Sequence, residues 1–492
     1  MYPDTDPATV LAELRKVVGT GHVLHEGDLS AYLRDWRKRW RGKALAVVRP
    51  GCTAEVAAVM QVCARHGVSV VPQGGNTSLV GGSVPDSSGT QVVLNLGRLN
   101  RVRSIDAANL TMTVEAGCVL QAAQEAAETA GLLLPLSLAA EGSCTIGGNL
   151  STNAGGTQVL RFGNARELCL GLEVVTPDGA VWDGLSGLRK DNTGYDLRHL
   201  YIGSEGTLGV ITAAVMRLYP PPAATMTALA TCESVAQCVA LLQLAQARAA
   251  AALTGFEVMS DCALSLVRRH FPQIPQPLPA SPWTVLLEVS DAESAEHAQR
   301  VFVGLLEAAL EAGLLAEAVV ASSVAQSHAM WHLRESISMA QAEEGLNIKH
   351  DIALPVSRIP DFVEHTDTAL QQAFPGVRLV NFGHLGDGNL HYNVQVPPGG
   401  SAAEFLAQHE HAVNTLVYDA VQAHGGSISA EHGIGALKRE ELARRKSPVA
   451  LDLMRAIKRA MDPALRMNPG RLLEVGPADS APATAAATAA AP

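Results

Sequence analysis

Hydrophobic positions fall into two textures along the chain. Residues 7–18, PATVLAELRKVV, repeat apolar residues at helical spacing and stop at Gly19, predicting an N-terminal helix. From Ala44 short β-rich runs take over: ALAVVRP, VSVVPQGG, QVVLNL, TMTVEAG and LEVVTPDG, bounded by Gly, Pro or Asp-Gly turns. Helical stretches lie between them at Thr53–Gly67 and Val119–Gly131, with Thr53 placed to cap the first and Gly67 to end it. This α/β alternation runs to Tyr219, where Pro220–Pro222 marks a domain boundary. ATCESVAQCVALLQLAQARAA then predicts a helix, TVLLEVS (Thr284–Ser290) a strand and EHAQRVFVGLLEAALEAG another helix, an α+β layer of sheet and helices. The expected division is a helical segment over 1–43, an α/β domain over 44–222, an α+β domain over 223–475, and a low-complexity, disordered tail over 476–492.

The chain has 492 residues, 47% of them hydrophobic, which supplies several cores and argues against global disorder. A formal net charge of -11 argues against a nucleic-acid surface, which needs clustered Lys and Arg. The charged run RDWRKRWRGK (Arg34–Lys43) reads as a solvated face. Cys52, Cys63, Cys118, Cys144, Cys169, Cys232, Cys238 and Cys262 form no CxxC pair, which counts against an iron–sulfur cluster or a zinc ribbon. MYPDTDPATV shows no charged-then-apolar leader, so these cysteines read as reduced thiols of a cytoplasmic protein. No uninterrupted apolar run approaches the ~18 residues of a membrane span. GLLLPLSLAA, the nearest, is short and broken by Pro135.

Glycine density changes the picture. VVPQGGNTSLVGGSVP, Val70 to Pro85, sets Gly74, Gly75, Asn76, Thr77 and Ser78 in a row after a strand run. Such a loop can aim backbone N–H groups at a pyrophosphate, because glycine removes the Cβ that blocks close approach. A plain tight loop fits it equally well. EGSCTIGGNLSTNAGGTQVLRFG (Glu141–Gly163) adds a second cluster, interleaved with Ser143, Asn149, Thr152 and Asn153, and IGSEGTLGVIT (Ile202–Thr212) a third. No GxGxxG follows a strand, so a Rossmann fold is disfavoured. Separate glycine loops in one domain imply one large, elongated ligand lying against backbone.

NFGHLGDGNLHYNV (Asn381–Val394) carries a different chemistry. Asp387-Gly388 signals a two-residue hairpin, which sets His384 opposite His391 with Cβ atoms ~5 Å apart, and puts Asn393 on the same face. A histidine pair alone is more often packing. Glu431 in AEHGIGALKRE, beside His432 and two glycines, offers the third ligand a metal needs. Two histidines and a carboxylate leave positions open for substrate, with Zn²⁺ the first choice and Mn²⁺, Co²⁺ or Fe²⁺ able to use the same ligands. In WHLRESISMAQAEEGLNIKHD, Arg334 and Ser338 are one helical turn apart and Lys349 lies beyond Gly345 on a predicted strand. Together they can clamp a carboxylate. On spacing alone, a surface pair of Arg334 with Glu335 or Glu343 is the simpler reading.

These segments resemble known families. PQGGNTSLVGG and SCTIGGNLSTNAGG look like the two pyrophosphate loops of the vanillyl-alcohol oxidase (PCMH-type) superfamily, which binds FAD in an extended conformation. HLRESIS, KHD, GHLGDGNLH and SAEHGIGALKRE resemble its FAD-dependent D-2-hydroxy acid dehydrogenases, a likeness running from about Tyr32 to Leu472. It implies an α+β protein: a two-subdomain FAD-binding domain followed by a substrate domain with an antiparallel sheet and a C-terminal helical segment.

The resemblance places the flavin on Pro72, Gly74, Gly75, Asn76, Thr77, Ser78 and Gly81 of the first loop. Pro135 precedes the second loop, which adds Gly142, Ser143, Ile146, Gly147, Gly148, Asn149, Thr152, Asn153, Gly155 and Gly156. Glu205, Gly206, Gly209 and Ile211 come from the third segment, and Asn468 from near the C-terminus. Covalent members attach the flavin through a histidine in the first loop; Asn76 and Thr77 stand there here, implying non-covalent FAD. The resemblance also implies a metal on His384, His391 and Glu431, a distal carboxylate on Arg334, Ser338 and Lys349, the C1 carboxylate near Asn393, and His432 as base. Ser338 stands where threonine is more usual, which keeps the hydroxyl.

The expected reaction is oxidation of D-2-hydroxyglutarate to 2-oxoglutarate by hydride transfer from C2 to flavin. Electrons would pass to an electron-transfer flavoprotein or a quinone-linked carrier, and a homodimer is open. D-lactate or glycolate oxidation is the alternative within the family, and a non-catalytic flavin-binding subunit the alternative outside it.

Overall fold

A computed structural model describes residues 6–476, so the low-complexity tail predicted to be disordered lies, beyond Gly476, outside the described residues. The N-terminal helix forms over Pro7–Val18, with Asp6 accepting from the N–H groups of Ala8 and Thr9 and Gly19 ending it at φ 84°. Its buried stripe, Val10, Leu14 and Val18, packs into the first domain.

That domain holds two small sheets over one core. In the first, Ala46–Val48, Val92–Asn95 and Val70–Gln73 run parallel, with Val23–Leu24 added antiparallel at the edge. Helix Thr53–Arg65 supplies the crossover from Ala46–Val48 to Val70–Gln73, the parallel strands that flank Val92–Asn95. Thr53 does not cap that helix; its hydroxyl donates to Glu173 at 2.6 Å, and Cys52 holds the N-cap position without a side-chain bond. The second sheet is antiparallel, in the order Val102–Asp106, Thr111–Glu115, Val210–Arg217, Cys169–Val175, Val181–Gly184. The other end of the chain completes this domain: Met467 bridges Val70 and is fully buried in the same core.

The second domain is built on one larger antiparallel sheet. Its path runs Ala318–Val320, Ala224–Cys232, Trp283–Asp291, Leu253–Ser260, Arg378–Gly383, Asn389–Gln395, Asn347–Ile348, and Asp351–Ala353 also pairs with Asn389–Gln395. The helix predicted from Ala230 starts only at Val235, because Ala230–Cys232 finish a buried strand and Ser234 caps the helix from Gln237 N. Helices Val235–Ala249, Ala295–Glu311, Ile359–Ala373 and Ala402–Ala423 cover one face of the sheet; Asp261–His270 and Val324–Glu343 cover the other. Among the described residues only Val235–Ala252 is long and apolar enough to cross a membrane, and its Cys238, Leu241, Leu242 and Ala245 are buried in this core.

The predicted two-residue hairpin is not the observed turn. His391 pairs with Phe382, not His384. His384 leaves the strand at φ -87°, ψ 76° and opens a short 3-10 turn over Leu385–Asp387, closed by Gly388 at φ 86°. Its carbonyl accepts from Asp387 and Asn389, so the chain spends more residues in the turn than the Asp-Gly rule allots.

Candidate active site

The flavin-loop residues converge, but for a reason partly different from the expected one. A Cβ on Gly75 would lie 1.9 Å from the Ser143 carbonyl oxygen, and one on Gly156 2.0 Å from that of Ser137. The first two glycine loops therefore pack backbone against backbone. Several polar side chains in them are committed to the protein. Asn76, at φ 54°, donates to the carbonyls of Ala31 and Arg34 and accepts from Ser83. Asn153 ends helix Ile146–Thr152 in the left-handed region and accepts from Arg166 N, while Thr152 bonds back to Gly148 O. Pro135, Ile146 and Ile211 are buried, so they serve as wall.

Backbone donors separate the two loops further. In the second, the N–H groups of Ser143, Gly147, Gly148 and Asn149 already donate within the protein. In the first, no N–H from Gly75 to Leu79 donates to a protein acceptor among the described residues. That unsatisfied run is the feature that fits a pyrophosphate. Both loops keep free donors among the described residues: the first a continuous run, the second the separate N–H groups of Gly142, Thr145, Gly155 and Gly156. Asn468, almost fully buried, donates to the carbonyls of Gly82 and Glu205 and leaves its Oδ1 without a partner, which suits a ligand donor nearby.

Glu205 joins this cradle to the second domain. Its carboxylate accepts from Ile434 N at 2.8 Å and Gly435 N at 2.7 Å. A Cβ on Gly435 would fall 2.3 Å from the Val80 carbonyl. The segment after His432 is thus wedged between the first and third flavin segments, which brings His432 to the cradle.

Beside it the metal-ligand candidates meet. Ligand atoms of His384, His391 and Glu431 all lie within 4.8 Å of one another. His384 Nε2 is 3.3 Å from Glu431 Oε1. Two ligands at 2.0–2.1 Å from one tetrahedral zinc ion sit about 3.3 Å apart, so the donor set and spacing fit. Asp351, Glu431 and His432 form a second cluster within 4.8 Å. Asp351 is less free for an ion: Oδ2 accepts from Glu431 N and His432 N, both at 2.9 Å, and Oδ1 from Asn389.

Two carboxylates that sequence reasoning passed over organise the site. Glu257, fully buried on the central strand, accepts from His384 Nδ1 at 2.7 Å and pairs with Arg334 Nη2 at 2.8 Å. Burial alone would raise its pKa; the His384 and Arg334 charges reverse this and hold it below the ordinary range. Burial would likewise lower His384, but Glu257 dominates and holds it well above. His391 is driven well below the ordinary histidine value, by burial first and then by the His384 charge, so it stays neutral, whereas His384 must release a proton from Nε2 to bind an ion. Asp351 lies 3.4 Å from His432 Nδ1, which leaves Nε2 as the ring nitrogen with no protein partner among the described residues. The signal for Glu257 was a lone carboxylate in the otherwise uncharged, wholly buried strand LTGFEVMS.

The distal clamp is only partly assembled. Arg334 is buried with its Nε and Nη2 on Glu257, and Ser338, one turn on, is exposed. Among the described residues no hydrogen bond joins Lys349 to either. Lys349 follows Asn347–Ile348, and the register between Ile348↔Val394 and Asp351↔His391 places it opposite Asn393. Asn393 is buried, donating to Gln341 and accepting from His350 N. Burial, reinforced by the Arg37 charge, pushes the Lys349 ammonium down to about 8.

Comparison with known proteins agrees with this architecture. The FAD binding domain pattern matches residues 44–184, and that of FAD linked oxidases, C-terminal domain, residues 221–472. The chain belongs to the FAD-linked oxidase family and is an FAD-dependent dehydrogenase. It is 41% identical to a D-2-hydroxyglutarate dehydrogenase of Xanthomonas citri pv. viticola, over 96% of this chain and 98% of that one. A mitochondrial D-2-hydroxyglutarate dehydrogenase of Bos taurus is 38% identical over 94% of this chain and 83% of its own. A putative mitochondrial D-lactate dehydrogenase of Schizosaccharomyces pombe is 36% identical, over 89% and 83%. In fold, p-cresol methylhydroxylase superposes with a TM-score of 0.76 at 16% identity, covering 94% of this chain and 96% of that one.

Proposed function

We propose that this protein oxidises D-2-hydroxyglutarate to 2-oxoglutarate with FAD and a divalent metal, zinc first. The observation that carries this is the junction at His432: a base candidate next to a two-histidine, one-carboxylate cluster, wedged against the flavin cradle. Bound FAD supplies the acceptor for the hydride that leaves C2. A metal held by His384, His391 and Glu431 supplies a Lewis acid for the C2 hydroxyl and C1 carboxylate. His432 takes the hydroxyl proton on Nε2 while Asp351 holds Nδ1. Asn393 orders the strand beside C1, and Lys349 receives the far carboxylate, while Arg334 stays paired with Glu257.

D-lactate oxidation is the nearest rival, since one relative bears that name. The half-buried Lys349, with no acidic partner among the described residues, favours a diacid. Anaerobic bleaching of the flavin by a panel of D- and L-hydroxy acids, with and without chelator, tests the reading. Fastest bleaching by D-2-hydroxyglutarate, suppressed by chelator, is expected; bleaching by D-lactate at equal efficiency would count against it.

Two further outcomes follow. No histidine stands in the first loop, so acid precipitation should release all the yellow colour; colour kept on the pellet would show a covalent link. Lys349 is charged below about pH 8 and loses its charge above it. The KM for D-2-hydroxyglutarate should therefore climb above pH 8, by up to about tenfold per pH unit. Lys349→Met should abolish that climb, and a rise that survives the substitution assigns it elsewhere.

A further inference from the structure

The run Arg34–Lys43, read from sequence as a solvated face, is a built turn at the edge of the active site. Arg34 bridges Arg41, Asp35 N donates to Trp40 O, and Trp40 N donates to the Asp35 carboxylate at 2.6 Å, leaving Arg37 at the tip. The base of the turn is tied to the first flavin loop through Asn76 and to Pro85 O through the Trp40 indole. The tip is tied to the second domain. Arg39 forms a two-point pair with Glu410, both contacts at 2.9 Å. One turn along the same helix, Asn414 Oδ1 takes His350 Nε2 at 2.8 Å, and His350 adjoins Lys349. The two tethers hold the turn and the Lys349 strand one helical turn apart on the same helix, near enough for the Arg37 charge to act on Lys349.

The pair has an unusual balance of charge. Both side chains are half-buried, and neither makes a hydrogen bond or ion pair among the described residues. The acidic groups whose charges act on Arg37 are Glu410 and Asp35. Glu410 is spent on Arg39; Asp35 gives Oδ1 to the turn and, among the described residues, keeps a buried Oδ2 without a hydrogen-bond partner and makes no ion pair with Arg37. Two neighbouring cations, neither with an ion-pair partner among the described residues, raise the energy of the free protein, and an anion arriving between them relieves it. Strand alternation puts Lys349 on the face of Asp351 and His391, about 6.6 Å along from Asp351. Lys349 is thus displaced along the strand from the metal-ligand cluster while sharing its face.

We infer that Arg37 determines specificity by holding the distal carboxylate of a dicarboxylate substrate together with Lys349. This rests on the substrate reading above, which assigned that carboxylate to Lys349 without Arg37. It also gives the N-terminal turn a function: it supplies one wall of the substrate site from outside the two domains.

The test uses the FAD-loaded enzyme and its Arg37→Leu and Arg37→Lys variants. Dissociation constants for glutarate, a redox-inert diacid, are read from the flavin absorbance, and kcat/KM is compared for D-2-hydroxyglutarate and D-lactate. Loss of one charge-assisted contact should weaken glutarate binding about ten- to a hundredfold in Arg37→Leu. Discrimination for the diacid over the monoacid should fall by a similar factor, chiefly through KM, and Arg37→Lys should restore most of both. An unchanged glutarate constant in Arg37→Leu, no glutarate binding by the wild type, or an unchanged discrimination ratio overturns the inference. If D-2-hydroxyglutarate fails to bleach the wild-type flavin while glutarate binding still depends on Arg37, the substrate reading fails and the carboxylate site stands.

Discussion

His432→Ala should lower the rate of flavin reduction by D-2-hydroxyglutarate about 10²–10⁴-fold, the usual cost of removing a general base. The geometry makes this ring a base rather than a fourth ligand. Asp351 lies 3.4 Å from Nδ1, and the same carboxylate is itself pinned by the Glu431 and His432 backbone N–H groups. Nε2 is therefore the free nitrogen. The ring lies nearly parallel to that of His391, with centroids 6.3 Å apart. Removing it leaves Asp351 with its backbone donors and Asn389, so the fold and the metal set should survive. Anaerobic rapid mixing measures the effect as a single-turnover rate, with flavin and metal content determined on the same sample. A native rate of bleaching in a fully loaded variant would remove His432 from the mechanism.

How this site could be read from sequence differs from residue to residue. His384, His391 and Glu431 were legible by their chemistry, and their convergence does not depend on the register first inferred for them. The inferred pairing was wrong because it took Asp387-Gly388 as the whole turn. His384 instead steps out of the strand, where Glu257 holds its Nδ1. The glycine loops were legible as a cradle, but spacing alone cannot separate a glycine that admits a ligand from one that admits a neighbouring loop. Gly75 and Gly156 are of the second kind. Glu257 left almost no local trace, because its partners lie 77 and 127 residues away in the chain. Arg37 was hidden for the opposite reason: a run of charges conceals the one that is partly buried.

Glu257 should prove the most expensive side chain in the site to remove. It is fully buried and balances both the Arg334 guanidinium and His384. Glu257→Ala leaves two buried cationic groups without a counter-charge, a change that costs about 3–5 kcal/mol. It also frees the His384 ring, and loss of such a support typically weakens metal binding about 10–100-fold. Glu257→Gln keeps the shape and should fall between. The pH dependence of the metal-free protein carries a separate signature. The folded value of Glu257 lies below 4.5, so its contribution is full above 4.5 and lost as pH falls through that lower value. The folded value of His384 lies well above 6.5, so its contribution is full below 6.5 and lost as pH rises through the raised value. Between 4.5 and 6.5 both are complete, and the stability gap between wild type and Glu257→Ala should be widest there. Thermal melting of chelated protein across that range, and zinc titration against a competing chelator, check the two effects independently. A gap that does not change with pH would mean the loss is a packing defect, and native zinc affinity in the alanine variant would mean His384 does not need Glu257 to hold its ring in place.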